Sequence, residues 1–184
     1  FLRMQVFKFG GASVKNSNGV VNVAKVLQDV GYDNTLVVVS AMGKTTNKLE
    51  LVVKSYFEDK INLQIYIQEV IDFHNEILVN LFLNKEHIVY TKVNDLFFQL
   101  SDFLNKNKSP NYSFVYDQIV GYGELISTTI IGAYLEEINI QNNWLDIRSI
   151  IKTDNSYRDA TVNWEETKNN VIAHIDKSSL NITQ

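Results

Sequence analysis

A chain of 184 residues with 45% hydrophobic content is long enough to bury one sizeable core. Its 17 basic and 21 acidic residues leave a formal charge of −4, which offers no field for a polyanion, so nucleic-acid binding is not expected. With no cysteine and only three scattered histidines, His74, His87 and His174, disulfides, zinc–thiolate sites and cysteine nucleophiles are excluded and a cytoplasmic setting is expected.

No apolar run approaches the roughly 18 residues that span a bilayer, and no signal-peptide pattern opens the chain, so neither a membrane partner nor export is expected. Phe1–Arg3, ahead of Met4, read as a leader foreign to the natural start. Residues 4–184 read as one folded unit.

The first predicted element is a strand from Met4 to Phe9, which runs into the glycine turn "KFGGAS". Asn16–Asn18 then supply helix-start chemistry, Val20, Val23, Ala24 and Leu27 recur at helical spacing, and Gly31 closes the helix. Leu36–Val39, apolar and mostly β-branched, predict a strand buried on both faces. Strand, helix and strand at this spacing make a βαβ unit, hence a parallel sheet with a right-handed crossover.

From Thr45 to about Leu135 the apolar positions fall three and four apart, which predicts a long helical run interrupted by the polar linker around Pro110. Within it, the aromatic-rich block 61–106 is expected to be core and packing surface, with room for a subunit contact. "NNWLDIRSIIKTDN" returns to strand character, "YRDATVNW" suits a hairpin or loop, and Glu165–Asp176 predict a last helix. "LNITQ" then reads as a central strand left unpaired, which suggests a truncated chain. There is no internal repeat.

Three stretches carry chemistry. Two glycines after a parallel strand allow a sharp turn whose N–H groups approach an anion, and Lys8 adds a point charge there. For a bare Lys-x-Gly-Gly, a tight turn with a snorkelling lysine is the commoner explanation. "SAMGKTTN", residues 40–47, suggests a Walker A loop, but that loop needs a glycine at position 38, which is valine. What remains is a second strand ending in small and hydroxyl residues at the ligand-binding edge of the sheet. In "GYGELIST" the glycines Gly121 and Gly123 imply a helix break or a close approach, with Glu124 facing out of it. An acidic first helical turn is an equally good explanation. Asp146 and Arg148, at the end of the "WLDIRS" strand, are read first as a loop-ordering ion pair.

In this order the stretches resemble the aspartate kinases. That family's opening apolar-x-Lys-Phe-Gly-Gly-Thr/Ser-Ser-apolar is matched by Val6–Val14 everywhere but Ala12; its "VVSAMGGxTN", "GExLS", "DxR" and "TDxxFxxA" are matched by "VVSAMGKTTN", "GELIS", Asp146-Ile147-Arg148 and "TDNSYRDA". The resemblance covers nearly the whole chain. It implies an α/β three-layer sandwich of the amino-acid kinase type, a mainly parallel sheet flanked by helices, here truncated. It also implies transfer of the γ-phosphoryl of ATP, with Mg²⁺, to the β-carboxylate of L-aspartate, giving 4-phospho-L-aspartate on the way to lysine, threonine and methionine.

Carried over by position, Lys8 would stabilise the transferring group, Gly10, Gly11 and Ser13 would line the phosphate path, Thr46 would contact aspartate and Glu124 its ammonium. Ser40 lies at the edge of that site, and Asp146 and Arg148 stand behind it. Ala12 replaces the family's hydroxyl residue and so lacks its side-chain hydrogen bond, while the backbone turn is expected to stay intact. An acceptor carboxylate, with a reference pKa of about 3.9, is already ionised at neutral pH, so no general base is needed. The family's "GRGGSD" segment, its nucleotide-binding second half and its ACT domains have no counterpart here, so the chain alone is expected to have little or no turnover. A full-length enzyme would be a homo-oligomer. The rival readings are another amino-acid kinase, acting on glutamate or acetylglutamate, and a non-catalytic binding domain of the same fold.

Overall fold

The computed structural model describes residues 4–184, which form four strands and eight helices; the expected leader at residues 1–3 lies outside the described residues. In chain order these are β1 (Gln5–Phe9), α1 (Ser17–Val30), β2 (Thr35–Val39), α2 (Thr45–Glu58), α3 (Lys60–Leu81), α4 (Ile88–Lys106), α5 (Tyr112–Val120), α6 (Tyr122–Glu137), β3 (Asn143–Trp144), α7 (Ile147–Ile150), α8 (Trp164–His174) and β4 (Leu180–Thr183).

The strands pair in the order β1-β2-β4-β3 and every pairing is parallel. Helix α1 starts where Asn16 accepts the Gly19 N–H at 3.0 Å and stops at Gly31, whose φ of 84° only glycine adopts freely. Its buried side chains are Val20, Val23, Ala24 and Leu27, the four that the spacing picks out.

The pivot of the molecule is α6. One side of it packs on β2, β3 and β4, and other faces meet α1, α2, α4 and α5. Its sequence is accordingly apolar on most sides, with Leu125, Ile126, Ile130, Ile131 and Leu135 buried to 1% exposure or less and exposure setting in at Glu136 and Glu137 of the last turn. Helices α3 and α4 extend the core with single stripes, Ile67, Val70, Ile77 and Leu78 on one and Val89, Val93, Phe97, Leu100 and Leu104 on the other.

Three expectations change. The β2 strand is not buried on both faces: Thr35, Val37 and Val39 are sealed while Leu36 and Val38 are half-buried, because α6 covers only the face toward which the odd-numbered residues point. An unbroken apolar run reports strand propensity, not the number of covering layers. The last strand is central but not unpaired, since β4 sits between β2 and β3. The strand expected through "WLDIRS" ends at Trp144, and Asp146 instead caps α7, accepting the Arg148 N–H at 3.1 Å.

His74, inside α3, is fully buried between the rings of Phe73 and Phe97. Its Nδ1 lies 2.7 Å from the Val70 carbonyl. A carbonyl only accepts, so Nδ1 carries the proton, and Nε2 is left without a partner among the described residues. Burial pushes the imidazole from 6.5 down to about 4, and the charge of Lys48 adds to this. Below pH 6.5 the unfolded chain therefore binds a proton that the folded chain refuses. This contribution, on the order of 3 kcal/mol, is intact above pH 6.5 and is lost as the pH falls toward 4. Urea denaturation of the parent and of His74→Leu at pH 7 and pH 4.5 should show a shallower loss of stability in the variant; equal slopes would contradict the assignment.

Candidate functional site

Because all strands are parallel, their carboxyl ends share one edge of the sheet, where ligands bind in open α/β folds. The turns after β1 and β2 meet there. The Ser40 N–H donates to the Phe9 carbonyl at 3.0 Å and the Gly43 N–H to the Gly11 carbonyl at 3.0 Å. Gly11 is what lets them touch: a Cβ on it would lie 2.7 Å from the Ala41 carbonyl oxygen and 3.0 Å from that of Gly43. At Gly10 the situation is reversed, with nothing within 4 Å of the position of a Cβ. The space in front of Gly10 is open, beside the exposed side chain of Lys8.

The third stretch joins through α6. Gly121 makes the break between α5 and α6, and Gly123 makes the close approach, since a Cβ there would stand 2.9 Å from the Ala41 Cβ and 3.2 Å from Thr45 Cγ2. The Ser127 hydroxyl donates to the Ser40 carbonyl at 2.9 Å. These contacts seat the first turn of α6 against the turn after β2. Glu124 comes to rest half-buried beside the Ala41 backbone, and its desolvation raises its pKa.

Helix α2 begins at the same place. Gly43 takes a left-handed φ of 55°, and the Thr45 hydroxyl, 1% exposed, donates to the Met42 carbonyl at 2.7 Å. Thr45 is thus spent on the turn, whereas Thr46 is partly exposed at the helix N-terminus, where N–H groups and the dipole favour an anionic group.

Lys8, Gly10, Gly11, Ser13, Ser40, Thr46 and Glu124 therefore belong to three turns that the fold brings into contact. Ser13 closes the first turn, its N–H donating to the Gly10 carbonyl at 2.9 Å. Asp146 and Arg148 sit at the same sheet edge, but bond to each other: the guanidinium meets the carboxylate at 2.7 Å and 2.9 Å. Burial pushes the Asp146 carboxyl up, yet the Arg148 hydrogen bonds outweigh this and hold it low. From there Gln184 accepts the Ile147 N–H and donates to Thr128 of α6, so α6 links this pair to the site.

The contributions of Ala41, Gly123 and Ser127 are not evident from sequence spacing. Each acts on a partner more than 70 residues away; all three lie within the quoted stretches, and Gly123 is marked there for a break or close approach, but nothing in the spacing names the partner. The open space at Gly10, Lys8 and the N–H groups of the turn suit a phosphate. For a metal the fit is poor: among the described residues no group of three His, Asp or Glu side chains is placed to hold one.

A profile described as "Amino acid kinase family" matches residues 3–184. Bifunctional aspartokinase/homoserine dehydrogenase 2 of Escherichia coli is 26% identical over 152 residues, covering 82% of this chain and 18% of that protein. Aspartokinase 3, chloroplastic, of Arabidopsis thaliana is 31% identical over 140 residues, 72% of this chain and 24% of that one. Among solved structures, E. coli aspartokinase III in complex with aspartate and ADP superposes with a TM-score of 0.87 at 22% identity, covering 99% of this chain and 40% of its own. At that identity the likeness establishes the fold. The chain spans less than half the length of each of these relatives.

Proposed function

This chain belongs to the amino acid kinase family, and on that premise we propose that it forms the acceptor side and phosphate turn of an aspartate kinase catalytic domain. The observation that carries this reading is the seating of Glu124 and Thr46 against the Lys8-Phe9-Gly10-Gly11 turn through Ala41 and Gly43. On this reading Glu124 supplies the anionic partner for an ammonium, and Lys8 with its turn the cationic one for a phosphate. The aspartokinases among the relatives, one of them solved with aspartate and ADP, support the substrate assignment.

The chemistry asked of these residues is modest. ATP with Mg²⁺, when bound, supplies the γ-phosphoryl group. Glu124, desolvated and ionised, recovers its burial cost by pairing with the ammonium of aspartate. Thr46 and the N-terminus of α2 orient the acceptor carboxylate, which attacks without losing a proton. Lys8 and the N–H groups of Gly10 and Gly11 stabilise the charge that develops on the transferred group, so that positioning and electrostatics do the catalysis. Ser13 and Ser40 border this path, and the Asp146–Arg148 pair steadies the sheet edge behind it.

Glu124→Gln tests the acceptor side. The amide keeps the shape of the side chain but carries no charge to desolvate. A raised carboxyl pKa means that the ionised form costs stability at neutral pH and that the cost vanishes as the pH falls through that pKa. The variant should therefore melt at or above the parent at pH 7.5, by no more than about 1 kcal/mol. In the full-length enzyme KM for aspartate should rise roughly tenfold to a hundredfold. A variant that melts lower while keeping its KM would reverse the assignment.

Assay of the 184-residue chain with aspartate and MgATP should show no more than trace acyl phosphate, trapped as hydroxamate, whereas the full-length enzyme turns over aspartate in preference to glutamate. The exposed Ile61, Ile65 and Phe98 on α3 and α4 support a subunit contact in a homo-oligomer. No helix among the described residues is long and apolar enough to cross a membrane, and with no cysteine in the chain this favours a cytoplasmic location.

A further inference from the structure

Away from the three turns, α4, α6 and the start of β3 enclose a cavity of about 400 Å³, within the size range of small-molecule sites. We propose that it binds a small organic cation with a flat apolar body, such as an aryl amidine or arylalkyl amine.

The floor is made by a missing side chain. Gly132 lies within α6, where glycine costs about 1 kcal/mol relative to alanine. A Cβ there would stand 3.2 Å from Asn142 Oδ1 and 3.7 Å from Trp144 Cδ1, so any larger residue fills the slot. Trp144 forms a wall. Its Nε1 donates to the Thr128 hydroxyl at 3.0 Å, which fixes the ring, and at 39% exposure the indole keeps surface free for a flat or cationic partner.

The charge pattern selects the sign of the ligand. Asn142 Nδ2 donates to the Gly132 carbonyl at 3.0 Å and to that of Ile140 at 3.4 Å. This sets the amide orientation and leaves Oδ1 buried without a donor among the described residues, so its lone pairs add negative potential beneath the floor. Asp95 from α4 and Glu136 from α6 bring carboxylates to the lining, and neither forms an ion pair among the described residues. Lys92 is the sole cation of the lining. Two carboxylates, an orphan acceptor and an aromatic face against one lysine favour a cation over an anion.

The test is a titration of the 184-residue chain carrying Trp164→Phe, which leaves Trp144 as its one indole, followed by NMR at the indole N–H. Trp164 is 75% exposed, so this background change is mild. Benzamidine should shift the resonance saturably with a low-millimolar Kd, as expected for so small a probe, and benzoate should bind at least about fivefold more weakly. Asp95→Asn with Glu136→Gln, both changes polar-for-polar, should weaken benzamidine about fivefold to tenfold. Gly132→Ala should abolish the shift while retaining a cooperative melt. The absence of a saturable shift up to about 20 mM, equal binding of benzoate, or undiminished binding by the double variant would each overturn the proposal. Should Gly132→Ala melt early, the double variant decides.

Discussion

Alanine in place of Lys8 should lower kcat of the full-length enzyme about 10³-fold while leaving its melting temperature unchanged. The size follows from the cost of removing one preorganised charge from a developing oxyanion. The separation of effects follows from the structure: the Lys8 side chain is exposed, and β1 keeps its ladder with β2 whatever side chain position 8 carries. Since aspartate is assigned to Thr46 and Glu124, KM for aspartate should move little, and the loss should appear in kcat. Steady-state kinetics with a thermal melt on the same sample make the comparison. A kcat within threefold of the parent would remove Lys8 from the chemistry and strengthen the reading of the chain as a non-catalytic domain of this fold.

The two adjacent glycines should respond in opposite ways. Gly11→Ala places a methyl group against two carbonyl oxygens, at 2.7 Å and 3.0 Å. Both belong to backbone that cannot swing aside, so the turn after β2 must move, at a cost of about 1–3 kcal/mol. Gly10→Ala meets nothing within 4 Å, its backbone is not left-handed, and its stability should stay within about 0.5 kcal/mol of the parent or rise slightly. Yet that methyl group enters the space assigned to phosphate. Gly10→Ala should therefore lose most of its ATP affinity as a well-folded protein, whereas Gly11→Ala loses stability first. If both variants were stable and active, no phosphate would pass over this turn.

Much of this was legible in the residues themselves. The α1 helix announces its cap, its buried stripe and its stop, because each is a local matter of a few neighbouring residues. Gly121 and Gly123 stand out as a pair, and the fold divides their roles into a break and a contact. What could not be read is who receives the contact: Ala41 and Thr45 lie far back in the chain, and no periodicity encodes a partner at that distance. The same limit explains β2, where the apolar run is visible but the covering of its two faces is decided by α6. It also explains the final strand, whose neighbours β2 and β3 are a property of the sheet. Thr45 and Thr46 show it at the scale of one hydroxyl. Either could serve as a ligand by type, and only the bond from Thr45 to Met42 shows that it is already occupied.

The central position of β4 also bears on how the protein is made. Thr35 pairs with Leu180 and Val38 with Thr183, so one edge of β2 waits for residues at the far end of the chain. At ribosomal speeds of about 5–20 residues per second, that wait lasts roughly ten seconds. Until then an apolar strand edge is open to pairing with another nascent chain. Substitutions that weaken β4 should consequently show up as aggregation during synthesis before they show up as lost activity.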